Sequence, residues 1–185
     1  MSIWKFLGLD KERGLAEPLP ETVSAETETV RKIVAALDRM EPERARYIAA
    51  FAYNLSRVAH ADRNISPEET RAMERIVMER GNLPEEQALI VVQMAKSQSI
   101  FFGGTENYVV TREFNQLATR EQKIALLHCL FAVSAADQSI SSAESNEIRQ
   151  IASELKLRHQ DFIEARVAYQ QYLAVLKKKP GSAKA

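Results

Sequence analysis

Apolar residues recur along this chain at three- and four-residue steps, the spacing that gathers them on one face of a helix. The pattern begins at Val30 and continues through Ile33, Val34, Leu37 and Met40. Pro42 breaks it and suits the opening of the next helix. Over 43–61, Tyr47, Ile48, Phe51, Leu55 and Val58 form one stripe. A turn at 62–66 leads into a third helix over 67–80, with Met73, Ile76 and Val77 facing in and Gly81-Asn82 as its stop. Pro84 opens a fourth helix, with Leu89, Ile90, Val92 and Met94 inside. A connector over 97–107 follows, where Phe101 and Phe102 beside Gly103 and Gly104 either line a groove or pin the connector to the core. The second half predicts a short helix over 108–117 and a long one from Thr119 to Ala136, where Gln122 completes a capping box. Helices over 142–155 and 159–177 end the pattern; Tyr169, Tyr172, Leu173 and Leu176 are the late apolar positions of the last. No strand-period alternation of useful length occurs, so the fold class is all-α.

The two halves echo each other. Residues 55–76 and 130–151, shifted by 75 positions, agree at Leu55/Leu130, Val58/Val133, Ala61/Ala136, Asp62/Asp137, Ile65/Ile140, Ser66/Ser141, Glu69/Glu144 and Ile76/Ile151. The matches are apolar helix positions, then Ala-Asp, then a short turn, then a helix start, which is the mark of an internal duplication. The expected architecture is two pseudo-symmetric four-helix repeats, about 27–98 and 106–177, packed around one shared core within a domain over 27–177.

Each repeated turn carries an Asp and, seven residues later, a Glu: Asp62 with Glu69, and Asp137 with Glu144. One reading is structural. Ser66 with Glu69, and Ser141 with Glu144, form capping boxes; Pro67 suits a first helical position, and the two Asp side chains accept from turn amides. The other is a cation site, since hard divalent ions take several oxygen ligands, usually including two or more carboxylates. Asp, then Ile three later, then Glu seven later matches the second half of an EF-hand loop, but its first acidic ligands are replaced by Val58 and His60, and by Val133 and Ala135. Neither turn alone is an EF-hand. If the duplication brings them together, four carboxylates share one ion, calcium or magnesium rather than zinc.

This repeated pattern resembles the TerB family of tellurite resistance, together with the related N-terminal domain of the DjlA co-chaperone, over roughly residues 27–177. The resemblance implies an all-helical fold with pseudo-symmetric repeats and an acidic cluster at the repeated turns, here Asp62, Glu69, Asp137 and Glu144, proposed to bind a divalent cation. It also implies a bacterial metal or envelope stress response, often close to the inner membrane face. The family usually has Gly straight after the Asp, where this chain has Arg63 and Gln138.

Composition narrows the remaining choices. The chain has 185 residues, 45% hydrophobic and 27% charged, with zero formal net charge; a nucleic-acid binder would normally show a basic excess, so no nucleic-acid partner is expected. Cys129 stands alone, which excludes an intrachain disulfide and a Cys-rich zinc site. No run approaches 18 apolar residues and no secretory signal is evident, so the expected location is cytoplasmic, including the inner face of the membrane. Residues 1–26 read as an apolar arm, MSIWKFLGL over 1–9, and a Pro- and Glu-containing linker that reaches 28; residues 178–185 read as a basic, flexible tail. The arm is either a peripheral membrane anchor or a segment docked on the protein's own core or a neighbour. His60, His128 and His159 show no ligand spacing, His128 and Cys129 point about 100° apart on a helix, and no phosphate loop is present. The expected function is therefore non-enzymatic: a helical domain that binds a cation, or, alternatively, an adaptor for protein partners tethered through residues 1–9.

Overall fold

The computed structural model describes residues 24–59, 67–97, 107–136 and 138–176, without the side chains of residues 24–27, 69, 107 and 108. The apolar arm at 1–9, the turn at 62–66, the Phe101-Phe102 connector and the basic tail lie outside these residues. The described helices are α1 (Ser24–Asp38), α2 (Pro42–Ala59), α3 (Pro67–Gly81), α4 (Glu85–Lys96), α5 (Asn107–Leu117), α6 (Arg120–Ser134), α7 (Ser142–Glu154) and α8 (His159–Val167). Two short 3-10 turns, Gln170–Tyr172 and Ala174–Leu176, follow α8. Among the described residues the fold is all-α, and the one extended pairing is a bridge between Ile140 and Leu173.

The centre is α2. Its sequence mixes an aromatic-aliphatic stripe with alanines on the other faces, so neighbours can approach from all sides. From Tyr47 to Ser56 every residue is buried, and α4, α5, α6 and α7 all pack on it. A helix that is apolar all round belongs in a core. Two of its buried polar side chains bond back to their own helix: Asn54 Nδ2 donates to the Ala50 carbonyl at 2.8 Å and Ser56 Oγ to the Tyr53 carbonyl at 2.7 Å. Phe51 and Phe114 meet edge to face at 6.1 Å, and Tyr47 stacks on Phe114 at 5.1 Å. Each such fully buried large apolar side chain contributes about 1.5–3 kcal/mol. The core runs without a break from Ile33 to Leu173 and spans both halves.

Packing between the halves pairs α3 with α6 and α7 with α2. The first helices of the halves are placed differently. α5 lies along α2 and α7, whereas α1 lies along α4 with a lighter touch on α2, held by Ile33 and Leu37.

Four local expectations change. Helix α1 begins at Ser24, so residues 24–28 extend a helix where the sequence suggests linker; an i,i+4 pair between Glu28 and Lys32 at 2.7 Å supports that extra turn. Leu89 is 41% exposed; α4 turns Ala88, Val91, Val92, Met94 and Ala95 inward instead. The residue that turns the chain after α3 is Asn82, with φ 53°, while Gly81 is the last helical residue. Gly81 is there for space, since a Cβ on it would lie 2.9 Å from Phe51 Cζ. The last helix stops at Val167, and the chain folds back so that Leu173 is buried and Tyr169 stacks on Phe131 at 5.8 Å. Leu176, an expected core position, is 61% exposed.

The end of α7 is a Schellman motif built on a lysine. Leu157 N–H donates to the Ala152 carbonyl and Lys156 N–H to the Ser153 carbonyl, both at 3.0 Å, and Lys156 sits at φ 57°. A left-handed residue of this kind is usually Gly. Lys156→Gly should stabilise the protein by about 0.5–1 kcal/mol in urea unfolding, because it relieves that strain. Gly81→Ala should do the opposite. The helix-propensity gain is about 1 kcal/mol, but the new methyl meets a fully buried ring whose displacement costs about 1–3 kcal/mol, so a lower melting temperature is expected.

Candidate metal centre

Of the four carboxylates singled out by the sequence, Glu144 alone has a described side chain. Asp62 and Asp137 lie outside the described residues. Glu69 lies in the first turn of α3, and nothing is described of its side chain. Among the described residues no cluster of three or more His, Cys, Asp or Glu assembles in a way that would hold a metal.

The frame of the second turn is nonetheless well defined. Helix α6 ends on Ala135, whose N–H reaches back to the Phe131 carbonyl. Gln138 N–H then donates to the Ala135 carbonyl at 2.9 Å, and Gln138 takes φ 64°. The backbone after Asp137 is thus left-handed, the conformation glycine adopts without strain. Ile140 comes next, buried and held on both sides: its N–H donates to the Tyr172 carbonyl at 2.7 Å, and its carbonyl accepts from Ala174 N–H at 2.9 Å. Ser141 caps α7 as expected. Its Oγ accepts from Glu144 N–H at 3.1 Å, and Glu144 Oε2 accepts from Ser141 N–H at 2.8 Å. The structural role of Glu144 is therefore present. One of its oxygens is engaged at the helix start, and the other makes no hydrogen bond to a described residue.

A second polar centre joins α2, α5 and α7. Arg57, in the last turn of α2, is only 3% exposed. Its Nε donates to Glu147 Oε1 at 2.7 Å and its Nη1 to Glu154 Oε2 at 2.7 Å. Nη1 also donates to Thr111 Oγ1 at 3.0 Å, and Thr111 Oγ1 donates to Asn54 Oδ1 at 3.3 Å. Burial opposes the Arg57 charge, but the hydrogen bonds and charges of Glu154 and Glu147 outweigh it and raise the pKa. Burial likewise pushes the Glu154 carboxyl up, while bonds from Arg57 and Gln150 and the Arg57 charge hold it below its ordinary value of 4.5. This cluster was not singled out by the sequence reading. Its sequence signal is faint: Asn54 and Arg57 stand three apart in the otherwise apolar and small-residue stretch 47–59.

Cys129 is wholly buried, and burial alone pushes its thiol up to about 12, so it is a core residue with no nucleophilic character at neutral pH. Burial, with Arg80 nearby, holds His128 below its ordinary value.

The class this geometry defines is, among the described residues, an all-helical domain with a single core, in which α3 packs on α6 and α7 on α2. The chain belongs to the family described as tellurite resistance protein TerB, whose model matches residues 48–167, more than half of the chain. Helix α1 and the segment after α8 fall outside that match. Comparison with curated proteins and comparison with solved structures each find no match. Among the described residues, no helix is long and apolar enough to cross a membrane.

Arg57→Met should be strongly destabilising at neutral pH, by about 3 kcal/mol in urea unfolding, because it leaves two partly buried carboxylates without their cation. The pH dependence follows from the depressed Glu154 carboxyl. Its contribution is complete above the ordinary value of 4.5 and disappears as pH falls through the lower folded value. Glu154→Gln should accordingly flatten the loss of melting temperature on acidification below that value, and Arg57→Met combined with Glu154→Gln should recover part of the lost stability.

Proposed function

We propose that the chain is a non-enzymatic TerB domain that binds one divalent cation, calcium or magnesium in preference to zinc, in a bacterial metal or envelope stress response. The ligands are the carboxylates of Asp62, Glu69, Asp137 and Glu144. The observation that carries this reading is the left-handed Gln138 straight after Asp137. The resemblance implies that the family usually has glycine there, and this chain takes a glycine-like conformation with a residue for which it costs about 1 kcal/mol. Backbone strain held by its surroundings in this way is a feature that clusters at functional turns.

Two further features agree with it. Ile140 is anchored through both of its main-chain groups, so the backbone between Asp137 and Glu144 is fixed before any ion arrives. Arg57 ties the end of α2, which leads into the first acidic turn, to α7, whose first turn carries Glu144. An ion shared between four carboxylates would relieve their mutual repulsion and so stabilise the fold.

Titration calorimetry with calcium, magnesium, manganese and zinc, paired with melting curves in each, tests the reading. Heat and a rise in melting temperature are expected with calcium or magnesium, and Asp137→Asn should weaken binding about tenfold or more. No heat and no shift with any of the four ions would remove cation binding.

A further inference from the structure

A small cavity adjoins this turn, lined from α7 and α8 by residues outside the Arg57 cluster. Its volume is about 90 Å³, and it lies between the start of α7 and the segment that folds back after α8. By that measure a single water needs only about 10–15 Å³, so the space admits a ligand of several heavy atoms. Ser142, Ser145 and Asn146 line it from α7, Arg166 from α8, and Leu173 and Val175 from the segment after α8, and it stays open to solvent on one side. That segment is fixed by the two main-chain bonds to Ile140.

Its chemistry is one-signed. Arg166 is the charged residue among the described residues that line the cavity, and no carboxylate is among them. The Arg166 Nε is buried and has no hydrogen-bond partner among the described residues. A guanidinium donor withdrawn from water without an acceptor is costly, and that cost is removed by an acceptor of opposite charge. Hydroxyl and amide donors of Ser142, Ser145 and Asn146 face the same space. Arginine together with hydroxyl donors is the donor set that planar and tetrahedral oxyanions take.

We propose that this cavity binds a small oxyanion, of which inorganic phosphate is the simplest member, with Arg166 as the principal donor and Ser142, Ser145 and Asn146 completing its shell. Neither the site nor its ligand class depends on the cation reading, and its test is made with EDTA present to keep the two apart.

The test is a phosphate titration of the full chain followed by amide and guanidinium NMR, with sodium chloride at matched ionic strength as the reference. Saturable shifts are expected at Ser142, Ser145 and the Arg166 Nε–Hε group, with phosphate and not with chloride. Arg166→Met should weaken the response about tenfold or more, the loss of one charge-assisted contact. Ser145→Ala, which removes a hydroxyl at a half-exposed position, should weaken it less while leaving the melting temperature unchanged, and it serves alone if Arg166→Met does not fold. Shifts that do not saturate, that chloride reproduces, or that survive both substitutions would overturn the proposal and leave a water-filled cavity.

Discussion

The structure depends on one guanidinium taken out of water. Arg57 sits at the end of the most buried helix and is held by carboxylates on α7 and a hydroxyl on α5. A buried ion pair is a poor source of net stability, since desolvation consumes most of the attraction. What it supplies is register. Glu147 and Glu154 are seven residues apart on α7, so two turns of that helix are fixed along the end of α2. An apolar contact would tolerate sliding; two short charge-assisted bonds do not. The halves of the chain are thereby joined by direction as well as by grease.

Around this clamp, the ends of helices are held by a few strained or capped residues. Asn82, Gln138 and Lys156 are the non-glycine residues with positive φ among those described. Two of them, Asn82 and Lys156, close helices α3 and α7, and the third shapes the acidic turn. Asparagine tolerates this conformation through its short side chain; glutamine and lysine do so less easily. At Lys156 the strain serves only to end a helix. At Gln138 it sets the path between two acidic positions, followed at once by an anchored isoleucine and a reciprocal cap. The difference in surroundings is why Lys156 is the candidate for improvement, while Gln138 is built into a turn held on both sides.

Much of the fold is legible in the sequence because its determinants are local. Thr119 with Gln122, and Ser141 with Glu144, announce helix starts within four residues, and both boxes are present. The stripe of Tyr47, Ile48, Phe51, Leu55 and Val58 is buried throughout. What escapes is decided at a distance. Gly81 is explained by a phenylalanine thirty positions earlier, and no local signal tells a spacer from a helix stop. The chain's return after Val167 is held at Ile140 through Tyr172 and Ala174, and Leu89 faces out while α4 packs on α2 and α3. The acidic positions were legible as a repeated pattern. The Arg57 cluster was not, because its carboxylates lie 90 and 97 residues along the chain.

The pairing of Ile140 with the strand-like stretch at Leu173 carries a lesson about where this domain ends. The family match stops at residue 167, yet the groups that satisfy Ile140 belong to Tyr172 and Ala174. A chain trimmed after residue 167 would retain all eight described α-helices and still strip Ile140 of both its main-chain partners. Kinship here marks the helical body, whereas the physical perimeter is drawn by two main-chain hydrogen bonds just past it.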